Sequence, residues 1–127
     1  KVPLHGGGAA EKSYLHARDL ARAIYMVSEA DVAGRVYNVG PLNPTSIADV
    51  ARMCAKAVGV PFEDLFDVAP ERLGQDARYW LDSSAIHRDL QWSPQIGWGI
   101  GLAEMVAWAQ RYKDELRHVS TDYQLRA

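Results

Sequence analysis

Apolar residues recur every three to four positions in three stretches of this chain, which is the spacing of a helix with one buried face. The pattern predicts helices over Ala17–Glu29, Ile47–Val58 and Gly97–Leu116. Ser46 precedes the second helix as an N-cap residue, and Gly59 follows it as a stop signal. The chain is therefore expected to be mostly helical.

Shorter segments fill the intervals between these helices. Residues 82–84 offer an N-cap for a short helix that ends near Leu90, and Phe62–Phe66 is typical of one irregular helical turn. Residues 71–78 combine two arginines, an aspartate and a glycine, which is the composition of a loop. Residues 117–127 are expected to form a poorly ordered tail.

Extended segments are few and short. Lys1–His5 and Ser13–His16 favour strands, and Arg35–Gly40 reads as a third strand that ends at a glycine. A lone strand cannot satisfy its own backbone groups, so the third segment needs a sheet to join. This chain supplies little of one. We therefore expect the latter part of a larger α/β protein, or a chain that pairs with another.

Composition narrows the class of protein without naming a function. The 127 residues suffice for one small domain, and the net charge of −2 indicates neither a nucleic-acid partner nor an anionic membrane surface. No apolar run approaches the ~20 residues of a membrane span, and no signal-peptide pattern is present. The single cysteine, Cys54, excludes an internal disulfide and favours a reducing compartment, so we expect a cytoplasmic location.

Motifs for catalysis and metal binding are missing from the sequence. Gly6-Gly7-Gly8 is followed by Glu11 where the dinucleotide fingerprint needs its third glycine, and no helix follows at once, so these glycines predict a turn. No tyrosine has a lysine four residues later, and no Gly-x-Ser-x-Gly occurs. The four histidines have no metal-ligand spacing. We predict no catalytic residue and no metal site.

Three cations are the candidates for binding chemistry. Arg72 and Arg78 flank Asp76, and Lys12 stands just before the second extended segment. Guanidinium groups bind phosphate oxygens bidentately, so this cluster suits a phosphate-bearing ligand. Any one of these cations alone is more typical of solvated surface. Their order within a longer pattern favours binding.

That pattern resembles the C-terminal portion of the extended short-chain dehydrogenase/reductases that modify nucleotide sugars, in their dTDP-glucose 4,6-dehydratase-like and epimerase branch. The resemblance spans about residues 1–116. The segments that match in order are Val-Pro-Leu-His-Gly-Gly-Gly at 2–8, Lys-Ser-Tyr-Leu-His-Ala-Arg-Asp at 12–19, Val-Tyr-Asn-Val-Gly at 36–40, Arg-Leu-Gly-Gln-Asp-Ala-Arg-Tyr at 72–79, Leu-Asp-Ser-Ser at 81–84 and Asp-Leu-Gln-Trp-Ser-Pro at 89–94.

The resemblance implies roles for seven residues. Arg72 would hold the diphosphate, and Asp76 would accept a hydrogen bond from the ribose. Lys12 stands where the family usually has arginine, so it would act as a point charge without the bidentate fork. The other residues implied in nucleotide contact are Pro3, Leu4 and His5, which would line the base pocket, and Asn43, which would face the nucleotide.

The same resemblance implies that the NAD(P)-binding Rossmann half, with its glycine-rich loop and Tyr-x-x-x-Lys pair, lies upstream of what this chain contains. The expected fold is thus a mostly helical α/β fragment with short strands. Residues 1–116 would form the substrate-binding part and residues 117–127 a tail. NAD(P) would serve the complete enzyme, and this chain alone would bind none.

Two functions remain open from the sequence. In the first, the chain is the sugar-nucleotide-binding part of an NAD(P)-dependent nucleotide-sugar dehydratase or epimerase, and its partner molecule is a nucleotide sugar. In the second, it is a non-catalytic module that binds a ligand or partner and covers its exposed apolar surface by self-association. A homo-oligomer is expected. The nucleotide, the sugar and the choice between dehydratase and epimerase stay open.

Overall fold

The computed structural model describes residues 1–120, which form a small α/β unit. Its helices are α1 (Ala17–Glu29), α2 (Ile47–Val58), α3 (Phe62–Leu65), α4 (Ser84–Leu90), α5 (Trp98–Arg111) and α6 (Lys113–Arg117). Its strands are β1 (Val2–His5), β2 (Glu11–Lys12), β3 (Thr45–Ser46), β4 (Phe66–Ala69) and β5 (Arg78–Tyr79). A 3₁₀ turn, Gly6–Gly8, joins β1 to β2.

The strands form two small sheets. β1 pairs in parallel with β4, so that Leu4 stands opposite Val68. In the second sheet β2 lies at the centre, antiparallel to β3 and parallel to β5. The glycine turn brings the two sheets close together. Gly8 has a φ of +74°, and a side chain there would meet the Ala48 backbone nitrogen at 2.7 Å, so α2 approaches this turn closely.

Two apolar clusters form the core. The first joins Leu4 of β1 to Ala48 and Ala51 of α2. The second joins Ala23 of α1 to residues that follow the last strand. The buried side chains of this second cluster are Ala23, Ile86 and Trp92, against which Leu15, Met26, Val27, Tyr37, Val39 and Leu90 pack.

A buried carboxylate ties α1 to the segment before α5. Asp19 is 1% exposed and accepts hydrogen bonds from the backbone of Gln95 at 3.0 Å and of Ile96 at 2.9 Å. Arg22 donates to the same carboxylate at 3.1 Å, and the indole of Trp92 donates to the Asp19 backbone carbonyl at 3.2 Å. Burial alone would raise the pKa of this carboxyl, but the backbone donors and Arg22 outweigh burial and hold the pKa below its ordinary value.

The main helices confirm the sequence predictions. α1 has the predicted bounds, and α2 begins after Ser46, whose hydroxyl accepts from the Asp49 backbone N–H at 3.0 Å. Gly59 ends α2 in the left-handed conformation. The predicted helix Gly97–Leu116 corresponds to two helices, α5 and α6. They are separated at Tyr112, which has a φ of −105° and a ψ of 25°.

The strand predictions are partly wrong. Lys1–His5 contains β1, but the second strand is Glu11–Lys12 instead of Ser13–His16, because His16 already serves as the N-cap of α1. Arg35–Gly40 forms no strand, since no segment among the described residues pairs with it. The predicted helical turn Phe62–Phe66 is confirmed as α3 over Phe62–Leu65, but Phe66 itself begins β4, a strand that was not predicted.

The ends of the predicted elements also need correction. Arg78, the last residue of the predicted loop 71–78, instead begins the strand β5, which continues to Tyr79. Arg117 belongs to α6 and not to the predicted tail, and residues 121–127 of that tail lie outside the described residues. No helix in the described range has the length and apolar character needed to cross a membrane.

Candidate functional site

The loop at residues 70–77, which contains Arg72 and Asp76, begins against β1 and the glycine turn. The His5 ring nitrogen Nδ1 lies 2.8 Å from the Pro70 carbonyl oxygen. A carbonyl only accepts, so Nδ1 is the donor in this bond. The Glu71 carboxylate lies against Gly6, in the space that a side chain at Gly6 would occupy. The start of the loop is therefore held by β1 and by the turn that follows it.

The end of the 70–77 loop is held by β2. The ammonium of Lys12 donates to the Asp76 carbonyl oxygen at 3.1 Å, and the Glu11 backbone N–H donates to the Ala77 carbonyl at 2.9 Å. The Glu11 carboxylate also forms an ion pair with Arg78, with Oε2 and Nε 2.7 Å apart. The strand pair β2–β5 thus fixes the loop at the residues that follow its apex.

The apex of the 70–77 loop presents Arg72 to solvent. Its backbone N–H donates to the Glu71 side chain at 2.9 Å, and its carbonyl accepts from Gln75 at 3.4 Å across a tight turn. Gly74 supports that turn with a φ of +78°. Arg72 and Leu73 are both exposed. The loop is bonded at both ends while its guanidinium remains open to a ligand.

The structure brings several of the predicted binding residues into this neighbourhood. Lys12 meets Asp76 through its backbone carbonyl, and His5 meets the start of the loop. Pro3 is exposed on β1, whereas Leu4 is buried in the core, where it packs with Ala48 and Ala51. Leu4 therefore lies in the core and not on the exposed side of β1.

Asn43 lies on the other side of β2. It is exposed, in the bend two residues before Thr45, and Thr45 pairs with Lys12 across β2 and β3. The same bend is tied to the segment after β5, because the Trp80 indole donates to the Pro41 carbonyl at 3.3 Å. In the sheet β3-β2-β5, Asn43 therefore lies on the β3 side of Lys12. The 70–77 loop lies on the opposite side, where it leads into β5.

An apolar groove was not predicted from the sequence. It has a volume of about 460 Å³ and lies between the start of α1, the bend after Gly40 and the first turns of α5. Tyr14 and Trp98 meet in its wall with ring centroids 5.4 Å apart, and burial raises the pKa of the Tyr14 hydroxyl. Its residues have no common periodicity, so only the fold could reveal it.

The glycine turn does not fit a dinucleotide. Gly6–Gly8 leads into β2, and a pyrophosphate loop needs a helix N-terminus at that point. Its neighbours are the Glu71 carboxylate and the Ala48 backbone, which leave no anion site. Within residues 1–120, no three His, Cys, Asp or Glu side chains cluster in a way that could hold a metal ion. The geometry of the glycine turn is therefore not that of a Rossmann pyrophosphate loop.

Comparisons with known proteins identify the family. The family model described as GDP-mannose 4,6 dehydratase matches residues 1–105. The dTDP-glucose 4,6-dehydratase of Neisseria gonorrhoeae is 38% identical over an alignment of 117 positions, and the match covers 84% of this chain and 34% of the relative. This chain thus spans about a third of that relative's length.

Solved structures agree with this assignment. The dTDP-glucose 4,6-dehydratase of Streptomyces venezuelae, with NAD and TYD bound, superposes with a TM-score of 0.79 at 28% identity, over 89% of this chain and 35% of that one. The UDP-glucose 4-epimerase of Bifidobacterium longum, in complex with NAD⁺ and UDP, gives 0.70 at 27% identity, over 80% and 30%. The chain belongs to the extended short-chain dehydrogenase/reductase family of NAD-dependent nucleotide-sugar dehydratases and epimerases.

Proposed function

We propose that this chain binds the nucleoside diphosphate portion of a nucleotide sugar, as the substrate-binding part of an NAD(P)-dependent dehydratase or epimerase. The 70–77 loop supports this best, because it is bonded at both ends and leaves Arg72 exposed at its apex. A guanidinium on a fixed loop can bind phosphate oxygens bidentately without first ordering the backbone. The solved relatives with NAD and TYD or UDP support this class of ligand.

Three side chains near the loop share the polar contacts of the nucleotide. Arg72 binds the diphosphate. The Lys12 ammonium, already 3.1 Å from the Asp76 carbonyl, has two further protons to donate to a phosphate oxygen. The exposed Asp76 carboxylate accepts from a ribose hydroxyl. In this proposal two cations contact the two phosphates and one acceptor contacts the sugar of the nucleoside.

The base lies against β1. Pro3 and His5 form the exposed side of this pocket, with Leu4 supporting it from the core, and Asn43 approaches from the far side of β2. Because His5 donates from Nδ1 to Pro70, its Nε2 is an acceptor in the neutral ring. A base with an N–H on the edge that faces β1 would suit this nitrogen.

This chain contributes binding and not the redox chemistry. In a complete enzyme, NAD(P) supplies hydride transfer, and a polypeptide region other than the described residues would hold it. Contacts to the diphosphate and base are remote from the reacting carbon, but they orient the sugar and lower the entropic barrier to reaction. The role assigned to this chain is to hold the substrate in place.

Self-association is a second candidate function, supported by exposed apolar side chains. Val36 is 89% exposed and Val68 is 78% exposed. Val68 lies on β4, which within the described residues pairs only with β1 and so has an open edge. Surface of this kind is commonly covered by another polypeptide. If a second copy of the chain covers these side chains, sedimentation velocity at micromolar concentration should detect a dimer. A monomer at every concentration measured would rule this function out.

Calorimetric titration with dTDP, UDP, GDP and CDP tests the binding proposal. We expect at least one of them to bind, and Arg72→Ala to weaken that binding by about tenfold or more, because a hydrogen bond between charged groups contributes about 1.5–3 kcal/mol. Arg52→Ala is the control, since Arg52 is an exposed arginine on α2 that pairs with Asp49. Equal affinity in wild type and Arg72→Ala would refute the phosphate role.

A further inference from the structure

We propose that Glu11 and Arg78 are positioning residues, which hold the 70–77 loop so that Arg72 meets the ligand. From the sequence alone, Arg72 and Arg78 are both candidates for binding phosphate. The structure separates them, because Arg78 lies on β5 and forms an ion pair with Glu11 at 2.7 Å. The part of this inference that concerns a ligand rests on the proposed function.

Charge argues against Arg78 as a direct phosphate ligand. The carboxylate of Glu11 already neutralises its guanidinium, and that same carboxylate would repel an approaching phosphate. Arg72 is exposed at the apex, where the described structure gives its guanidinium no carboxylate partner. The two arginines therefore have different tasks, with one facing the ligand and the other holding the loop.

The geometry of β2 and β5 explains why one ion pair can position the loop. Glu11 stands opposite Arg78 in the parallel register, and Lys12 stands opposite Tyr79. This ladder is only two residues long, so it holds β5 weakly by itself. The side-chain ion pair adds a third link beside the Glu11 N–H bond to Ala77 and the Lys12 bond to Asp76. Loss of that link would loosen the end of the loop that follows its apex, and the apex itself would then be held from one end only.

Hydrogen–deuterium exchange of the loop amides tests the positioning without any ligand. In Glu11→Gln we expect exchange of the Gln75 N–H, which donates to the Arg72 carbonyl, and of the β5 amides to become about threefold faster, consistent with the small strength of a half-exposed ion pair. The charge-swapped double variant Glu11→Arg/Arg78→Glu should return exchange to near the wild-type rate. Arg52→Gln removes an ion pair of similar exposure at 2.8 Å on α2 and should leave the loop unchanged.

The ligand arm uses the same variants with UDP and with uridine. Glu11→Gln should weaken UDP binding by about twofold or more, because a fraction of the loops no longer presents Arg72. Uridine has no phosphate for Arg72 to contact and keeps only the ribose contact of Asp76, so its affinity should fall by less, and the charge swap should restore the binding of both ligands. A loss of global stability would weaken UDP and uridine binding equally, and it would leave the ratio of the two affinities unchanged.

The outcomes of the two arms separate the two proposals. Unchanged loop exchange in Glu11→Gln, or a charge swap that fails to restore it, overturns the positioning role. If wild type binds no nucleoside diphosphate, the proposed function fails, while loop exchange still decides whether Glu11 and Arg78 position the loop. Faster exchange that the swap reverses supports the inference in either case.

Discussion

Asp19→Ala is expected to destabilise the chain strongly, because this buried carboxylate serves three donors at once. Its removal leaves the backbone N–H groups of Gln95 and Ile96 without their acceptor, at a cost of about 1 kcal/mol each, because Gln95 is exposed and Ile96 is half-buried, so that water can reach them. Arg22 loses its ion pair but keeps its bond to the Ser93 carbonyl, and its side chain is 29% exposed. We assign that loss about 1 kcal/mol.

The sum predicts a loss of about 3 kcal/mol in the free energy of unfolding, which is a large share of the ~5–15 kcal/mol of a typical domain. Urea denaturation followed by circular dichroism at 222 nm measures it, with an expected fall in the midpoint of about 1–3 M. The control is Asp67→Asn, which removes an exposed ion pair with Lys1 and should change stability by less than about 0.5 kcal/mol. A loss below about 1 kcal/mol in Asp19→Ala would refute the reasoning.

Two further predictions concern the stability of the folded chain. Because the pKa of Asp19 is lowered in the folded chain, its contribution is fully present above the unfolded value of about 3.9 and is lost as the pH falls below that value toward the folded pKa. The stability gap between wild type and Asp19→Asn, measured in urea from pH 6 to pH 3, should therefore shrink with acid, and a constant gap would contradict this assignment. Gly8→Ala should destabilise by several kcal/mol, since its side chain would meet the Ala48 backbone at 2.7 Å. Gly34 also has a positive φ, but a side chain there would meet nothing within 4 Å. Gly34→Ala should therefore lower the free energy of unfolding, measured by urea denaturation, by only about 1 kcal/mol. Equal losses in the two variants would contradict the steric argument.

The main helices could be predicted because their signals are local. The apolar spacing of α1, the Ser46 cap and the Gly59 stop all lie within a few residues of the structure that they specify. β4 and β5 could not be predicted in the same way. Each is at most four residues long and exists only because a distant segment, β1 or β2, pairs with it. The failure at Arg35–Gly40 has the same cause, since an extended segment becomes a strand only with a partner.

The candidate site was predictable in its members but not in its arrangement. The pattern of cations identified Lys12, Arg72 and Arg78 near Asp76. Only the fold shows that Arg78 is engaged by Glu11, which is remote in sequence. The burial of Leu4 likewise depends on α2, because alternation along four residues of β1 does not say which face meets a helix. Side-chain partners across strands follow from register, which the sequence does not reveal.

The central claim is that Arg72 binds phosphate, and a comparison of UDP with uridine tests it most directly. The two ligands share base and ribose, so the ratio of their affinities isolates the contacts to the diphosphate. Calorimetry should show UDP binding more tightly than uridine to the wild-type chain, with that ratio falling by about tenfold in Arg72→Ala and unchanged in Arg52→Ala. Equal affinity for UDP and uridine, or a ratio that Arg72→Ala leaves intact, would contradict the account.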